Sequence, residues 1–377
     1  MIDIKVGDCR DVLKLMPEKS VHCCVTSPPY FGLRDYGMGG QLGLEASPDE
    51  FVQAMVSVFR EVRRVLRNDG TLWLNLGDSY ATKYNGTVGT SGLEGSIAPH
   101  AQTRKAHALR SKGTPPGLPH KNLIGIPWKV AFALQSDGWI LRQDIIWHKP
   151  SPMPESVQDR CTKSHEYIFL LTKSPKYYYD AEAIAEDQVK GTAGSRFDSG
   201  KTSVHQGGRN QDGDRKQAIR AVEIAKQNGL TDRHIAAIRA VGISDVGKAK
   251  VTTNGAGKND PEIQALADEA KAVLGGYYRE FLISEKRNKR SVWTVPTKPY
   301  AGAHFATFPP DLIEPCILAG CPVGGTVLDP FGGAGTTGLV ADRLHRSAVL
   351  IELNPIYAEM ARSRIHNDSP LFSGVLA

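Results

Sequence analysis

Near its C-terminal end the chain joins a strand, a glycine-rich turn and a helix, and this junction limits the possible folds more than any other stretch. Thr326-Val327-Leu328-Asp329 is a short apolar run, Pro330 to Gly338 sets Gly333, Gly335 and Gly338 in the pattern G-x-G-x-x-G, and Leu339, Val340 and Leu344 follow at helical spacing. Glu352 closes the next apolar run, Ala348 to Ile351. Glycines between a strand and a helix let a ligand approach the backbone closely, and an acid at the end of the next strand can accept ribose hydroxyls. The arrangement predicts a nucleoside bound on a Rossmann-like α/β sheet.

Two nucleoside cofactors suit such a turn, a nicotinamide dinucleotide and S-adenosylmethionine. Asp329 would repel a pyrophosphate but can pair with an ammonium, and Pro330 and Phe331 crowd the turn. Both features favour S-adenosylmethionine. A second rigid turn lies far upstream, where the apolar run Val21 to Val25 leads into Thr26-Ser27-Pro28-Pro29-Tyr30. Two adjacent prolines fix φ and remove two amide donors, so the chain leaves the sheet there in an extended turn. A hydroxyl, free carbonyls and an aromatic ring are then presented at the carboxyl end of a strand. Taken by themselves, these five residues fit a simple strand-ending turn equally well.

The remaining elements alternate as a βα chain should. Ile2 to Val6 reads as a strand followed by Gly7-Asp8-Cys9 and a helical stretch around Val12, Leu13 and Leu15, which Pro17 stops. Phe31 to Gly43 reads as a loop. Ser47-Pro48-Asp49-Glu50 has the form of a capping box with proline at the first helical position. Phe51, Met55, Val58, Phe59, Val62 and Leu66 then mark the core face of a helix ended by Asn68-Asp69-Gly70. Strands are predicted at Thr71 to Leu76, Trp139 to Trp147 and Glu166 to Thr172, with a helix opened by Pro127. The run Tyr177-Tyr178-Tyr179 suits sheet packing.

Residues 81–121 carry six basic residues, Lys83, Arg104, Lys105, Arg110, Lys112 and Lys121, against the single acid Glu94. They read as a loop that orders on an anionic partner. Residues 186–290 differ in composition, beginning with a charged, glycine-rich stretch and continuing as helices, the clearest starting at Asp260-Pro261. Gly242 to Lys248 suits a helix-linking turn better than a phosphate-holding hairpin. The expected organisation is a catalytic domain made of residues 1–185 and 291–377, split by a largely helical inserted recognition region at 186–290.

Composition narrows the class further. The chain has 377 residues, 41% of them hydrophobic, and a formal charge of +6. Its apolar runs fall short of the ~20 residues a membrane helix needs, and the N-terminus lacks the form of a signal peptide, so a cytoplasmic protein is expected. The six cysteines form no CxxC pair, which argues for reduced thiols and against a zinc site. Cys316, in an apolar helical stretch, reads as core.

The two turns together resemble the DNA amino-methyltransferases that act on adenine N6 or cytosine N4. Asp329 to Thr337 resembles the cofactor motif of that family and Ser27-Pro28-Pro29-Tyr30 its catalytic motif. The catalytic-first order resembles the β class, and His304 to Pro309 resembles the class's additional cofactor motif. The likeness covers roughly residues 1 to 180 and 291 to 366.

It implies a permuted Rossmann-like fold, S-adenosylmethionine as cofactor, double-stranded DNA as substrate, a homodimer and a cognate restriction endonuclease as partner. Ser27, Pro28, Pro29 and Tyr30 would be catalytic. By the same resemblance Asp329 would hold the methionine ammonium and Glu352 the ribose, with Asp8 near the adenine. Cys9, His304, Phe305, Thr307, Pro330, Phe331, Gly333, Gly335, Thr336, Thr337 and Asn354 would complete the cofactor site. Where this chain has Ser27 the family often has aspartate, and serine occurs in both adenine and cytosine enzymes, so the target base stays open. Methyltransferases of RNA or protein glutamine share a Pro-Pro-Tyr turn but usually place the cofactor motif first. A nicotinamide-dependent oxidoreductase is the remaining alternative.

Overall fold

The computed structural model describes residues 1–81, 118–187, 220, 223–241, 260–275, 286–297 and 308–368. Most of the predicted basic loop, the stretch Gly242 to Lys248, and His304, Phe305 and Thr307 lie outside the described residues. The chain divides into two compact units, Met1–Ile184 with Asn288–Ala377, and Ala185–Arg287.

In chain order the first unit holds β1 (Ile2–Val6), α1 (Cys9–Leu15), β2 (Val21–Thr26), α2 (Pro48–Val65), β3 (Leu66–Leu76), α3 (Ile126–Ser136), β4 (Ile140–His148) and β5 (His165–Thr172). The second unit follows with β6 (Glu186–Asp187), α4 (Asp232–Val241), α5 (Pro261–Leu274) and β7 (Lys286–Arg287). The first unit resumes with β8 (Val292–Thr294), α6 (Pro310–Gly320), β9 (Thr326–Asp329), α7 (Thr336–Arg343), β10 (Ser347–Glu352) and α8 (Pro355–Asp368).

Eight strands form one sheet in the order β1-β10-β9-β2-β3-β5-β4-β8. All pairings are parallel except those of β5 with β3 and β4. This is the predicted mostly parallel α/β architecture. The sheet is buried on both faces, and β3 shows why its stretch Leu72 to Leu74 is continuously apolar. Leu72, Leu74 and Leu76 join the core that includes Phe51, Phe59 and Leu134 of α2 and α3, while Trp73 points into the core of Leu312, Ile317 and Ala358 from α6 and α8.

From β9 the chain proceeds outward to β10, whereas from β2 it proceeds the other way to β3. The strand order therefore reverses between β9 and β2, and ligands bind at such a crevice beyond the carboxyl ends of the strands. Cys23 and Cys24 of β2 pair with Val327 and Leu328 of β9, so the two sequence motifs leave neighbouring strands at that crevice.

The start of α2 follows its sequence closely. Ser47 accepts from the Glu50 amide at 3.2 Å, and Glu50 accepts in return from Ala46, one residue before the cap. Its end differs from expectation, because the helix stops at Val65 and Leu66 already belongs to β3. Leu66 pairs with Val21, and a register shift before the Cys23–Thr71 pair accommodates Asn68-Asp69-Gly70 as an irregular part of the strand. Gly70 is required there, since a Cβ would lie 2.9 Å from Leu66 Cδ2 and 3.1 Å from the His22 carbonyl. Leu15, one of the apolar residues of the expected helical stretch, ends α1 and is exposed, while Cys9 and Leu13 carry the burial of the helix. Cys316 is core, as its apolar setting suggests.

In the second unit Ile238 of α4 packs with Ala270 and Leu274 of α5, and Ala237 and Val241 with Ala267. Asp260 caps α5 by accepting from the amides of Glu262 and Ile263. A two-stranded antiparallel ribbon, β6 with β7, opens and closes this unit.

The ring of Phe59 is fully buried between α2 and the sheet. Phe59→Ala should destabilise the protein by about 3–5 kcal/mol, measured by urea unfolding. A loss below about 1 kcal/mol would mean that this face is not close-packed.

Candidate active site

The turn after β9 is held by an inward-facing acid. Asp329 is buried, and its Oδ1 accepts from Thr26 Oγ1 at 2.6 Å and from the Phe331 amide at 3.0 Å, while its Oδ2 accepts from Thr337 Oγ1 at 2.6 Å. Thr26 is the last residue of β2 and Thr337 lies in the first turn of α7, so one carboxylate ties the two motifs together. Burial raises its pKa, and the two hydroxyls and the amide oppose that shift.

The glycines of the turn serve mainly to bring elements close. Gly335 has φ of 76°, and a Cβ there would meet Ala361 of α8 at 2.8 Å. A Cβ at Gly338 would lie 2.9 Å from both Leu350 and Ile365. Glu352 clamps the turn from β10, its Oε2 accepting from the Gly333 amide and its Oε1 from the Asn354 amide, each at 2.8 Å. Burial raises its pKa as well. Each Glu352 oxygen keeps a second lone pair that can accept a ligand hydroxyl. Asn354 accepts from the Ile356 amide and so starts α8, and Thr336 accepts from Arg364.

A cavity of about 420 Å³ opens along the carboxyl ends of the parallel strands, a size suited to a small ligand. Ser27, Pro28, Pro29 and Tyr30 line one side, and Asp8, Cys9, Pro330, Phe331, Glu352 and Asn354 line the other. Asp329, Gly333, Gly335, Thr336 and Thr337 are not among the residues that line this cavity. The Asp329 oxygens are engaged by Thr26, Thr337 and the Phe331 amide, so this acid shapes the turn from behind.

Asp8 caps α1 through the Arg10 amide and pairs with the Arg10 guanidinium, which holds its carboxyl below the usual carboxylate range. Arg10 also donates to the Gly40 carbonyl at 3.0 Å. The loop after the Pro-Pro turn is thereby fastened to α1, and it contributes Arg34, Tyr36 and Gln41 to the cavity wall. Cys9 is buried, and burial pushes its thiol up to about 12, which makes it an inert wall.

The lining residues not identified from sequence include Asn75 at the end of β3, Trp147 and Lys149 at the end of β4, and Glu166 at the start of β5. Tyr30 Oη donates to Glu166 Oε2 at 2.7 Å and lies 3.2 Å from Asn75 Oδ1. Lys149 pairs with Glu166 Oε1 and sits 4.3 Å over the Trp147 ring. The Tyr30 ring packs against Gly77, where a Cβ would come within 2.5 Å of its Cε2. Burial first, and then the Glu166 charge, push the Tyr30 hydroxyl pKa up. A sequence signal existed, since Asn75 and Glu166 are polar residues at the cavity ends of otherwise apolar strands.

The site's residues fit a nucleoside cofactor on their own terms. Glu352 offers free lone pairs, Phe331 an aromatic wall and Asp8 a second anionic edge, all on the side of the cavity opposite Ser27. Among the described residues no cluster could hold a metal ion.

A model of the N6/N4 DNA methylase family matches residues 21–363. The type II methyltransferase M.Cfr9I of Citrobacter freundii is 41% identical over 363 residues, covering 96% of this chain and 87% of that one. M.SmaI of Serratia marcescens is 39% identical, covering 96% and 90%. TTHA0409 of Thermus thermophilus, solved with S-adenosyl-L-methionine, has the same fold, with a TM-score of 0.51 at 22% identity over 100% of this chain and 98% of that one.

Thr337→Val keeps the side chain's shape and removes one donor from the buried Asp329 carboxylate. It should destabilise the protein by about 1.5–3 kcal/mol in urea unfolding, the range for hydrogen bonds to charged groups. An unchanged midpoint would show that Thr337 does not hold the acid.

Proposed function

The chain belongs to the N6/N4 DNA methylase family, and from that premise we propose how its cavity methylates the exocyclic amino group of a DNA base. The observation that carries the reading is the meeting of two motifs, about 300 residues apart in sequence, on opposite sides of one cavity at the strand-order reversal. When bound, S-adenosylmethionine supplies an electrophilic methyl group on its sulfonium. Glu352 would take the ribose hydroxyls, Asp8 the adenine end, and Phe331, Pro330, Cys9 and Asn354 the walls of the cofactor half.

The acceptor half has to prepare a poor nucleophile. The lone pair of an aromatic amino group is conjugated with its ring. Ser27 Oγ and the Pro28 carbonyl would accept the two N–H bonds, favour a pyramidal nitrogen and aim its lone pair across the cavity. Orientation and polarisation then carry catalysis, with direct transfer and no covalent enzyme intermediate. Cys316, the cysteine that follows a proline, is sealed in the core and cannot serve as a nucleophile. Tyr30 gives the base a fixed aromatic wall. An amino group engaged in a base pair is out of reach, so the base must first leave the duplex.

The second unit, Ala185–Arg287, is proposed to read the DNA sequence, on the grounds that it is a compact unit of its own and differs in composition from the cavity-bearing unit. The basic residues between 81 and 121 would meet phosphates. A homodimer and a cognate restriction endonuclease are the further partners this reading expects, the latter because the relatives above are named type II methyltransferases. The proposed setting is the cytoplasm; among the described residues no helix is long and apolar enough to cross a membrane. The nicotinamide, RNA and protein-glutamine readings have no observation in their favour.

The test is incubation with methyl-labelled S-adenosylmethionine and duplex DNA, followed by digestion to nucleosides. The label should appear as N6-methyladenine or N4-methylcytosine, and this also settles the base. Ser27→Ala should lower the transfer rate roughly 10²-fold, the scale of losing one oriented hydrogen-bonding group. Calorimetric affinity for S-adenosylmethionine should stay near the parent value. Binding of NAD in place of S-adenosylmethionine, or full activity of Ser27→Ala, would overturn the assignment.

A further inference from the structure

Glu166 and Lys149 form an ion pair whose side chains are only 16% and 19% exposed, at the acceptor side of the cavity. Pairs removed from water to this degree are an inefficient source of stability, because desolvation offsets most of the attraction. Their position suggests a different use. Glu166 also receives the Tyr30 hydroxyl at 2.7 Å, and Asn75 Nδ2 at 3.3 Å. Tyr30 Oη lies 3.5 Å from Ser27 Oγ, with the serine as donor. That contact is long, as hydrogen bonds at reaction centres often are before substrate closes them.

The count of donors makes this chain run one way. An ionised carboxylate has no proton to give, so Tyr30 must donate to Glu166. The single Tyr30 proton is then committed, and toward Ser27 the phenol oxygen can only accept. Ser27 in turn has one proton, which points at Tyr30, and its lone pairs are what remain for an incoming group. Asn75 reinforces the direction, because its amide nitrogen is engaged by Glu166 and by the Tyr167 carbonyl at 3.0 Å and so turns its oxygen toward Tyr30.

We propose that Glu166 is a positioning residue for methyl transfer, acting through Tyr30 to fix the Ser27 hydroxyl as an acceptor and providing the terminus for the proton the amino group must lose. The inference rests on the methylation reading above and adds to it a residue outside the Ser27–Tyr30 motif. The balance is simple. When nitrogen gains a methyl group it becomes cationic and must release one proton. Ser27 Oγ takes that proton, passes its own to Tyr30 Oη, and Tyr30 passes its own to Glu166 Oε2. Both hydroxyls end as they began, the base is neutral, and the carboxyl is protonated beside Lys149. The terminus of the chain need not be a strong base, because a positively charged amino nitrogen on an aromatic base is strongly acidic.

Three variants test this by single-turnover methyl transfer to duplex DNA, with affinities for S-adenosylmethionine and for DNA measured on the same preparations. Tyr30→Phe removes one oxygen and keeps the ring. Glu166→Gln keeps the shape and removes the charge. The third combines them. Each single variant should lose at least about 10-fold in the transfer step with both affinities within about twofold of the parent, and the combined variant should be no slower than the slower single one, because both act on one chain. Transfer within threefold of the parent in Tyr30→Phe, or losses that multiply in the combination, would overturn the proposal. If Glu166→Gln fails to fold, Tyr30→Phe alone still decides. A parent protein that labels no DNA would overturn the underlying reading as well, whereas an active parent with an equally active Tyr30→Phe overturns this proposal alone.

Discussion

The structure depends on a carboxylate that faces away from its own cavity. Asp329 ends β9, and its oxygens take the hydroxyls of Thr26 from the adjoining strand and of Thr337 from the helix that follows. Burying this acid raises its pKa, so neutral hydroxyl donors and one amide are needed to keep it in place. The return is geometric. Thr26 immediately precedes Ser27, and Phe331, whose amide binds the same acid, lines the cavity. The separation of the two halves of the cavity is therefore fixed by a cluster of short hydrogen bonds and not by either turn alone.

That cluster lies where the order of parallel strands reverses, and the reversal explains why a chain whose motifs run catalytic first can still build the site. β9 and β10 come last in sequence yet insert between β1 and β2 in the sheet. Gly7 donates to the Glu352 carbonyl at 2.9 Å, which brings Asp8 beside Glu352 from the opposite end of the chain. What the ligand would meet is the set of strand ends, and the sequence order of those ends makes no difference to it.

Much of this was legible in the residues, because local chemistry dictates it. The G-x-G-x-x-G turn, the Pro-Pro turn and the Ser47 cap each state their own backbone geometry, and the short apolar runs within β2, β3, β9 and β10 mark strands of a buried sheet. Two kinds of information were not local. Asp329 reads as a ligand when only its position before the glycines is known, since nothing in the sequence says that Thr26 and Thr337 will converge on its oxygens. The Asn75, Lys149 and Glu166 group is drawn from β3, β4 and β5, whose spatial order differs from their order in the chain. Its members become neighbours only after the antiparallel β5 inserts between the other two strands.

The cavity thus has two halves built on different principles. On the proposed cofactor side, Glu352, Asp8 and Asn354 use one part of each side chain to cap or clamp backbone, and the remaining polar edges are fixed in direction before any ligand arrives. On the acceptor side, polar groups are joined to one another, from Ser27 through Tyr30 to Glu166 and Lys149, and their direction comes from a count of protons. The proposed reaction, without a covalent intermediate, depends on orientation and polarisation, and orientation needs groups that cannot turn. A serine hydroxyl free to rotate would present its proton to an amino group as readily as its lone pairs. In the proposed role the buried ion pair removes that freedom, which would give a reason for keeping two charges in a place where a close-packed apolar pair would serve stability as well.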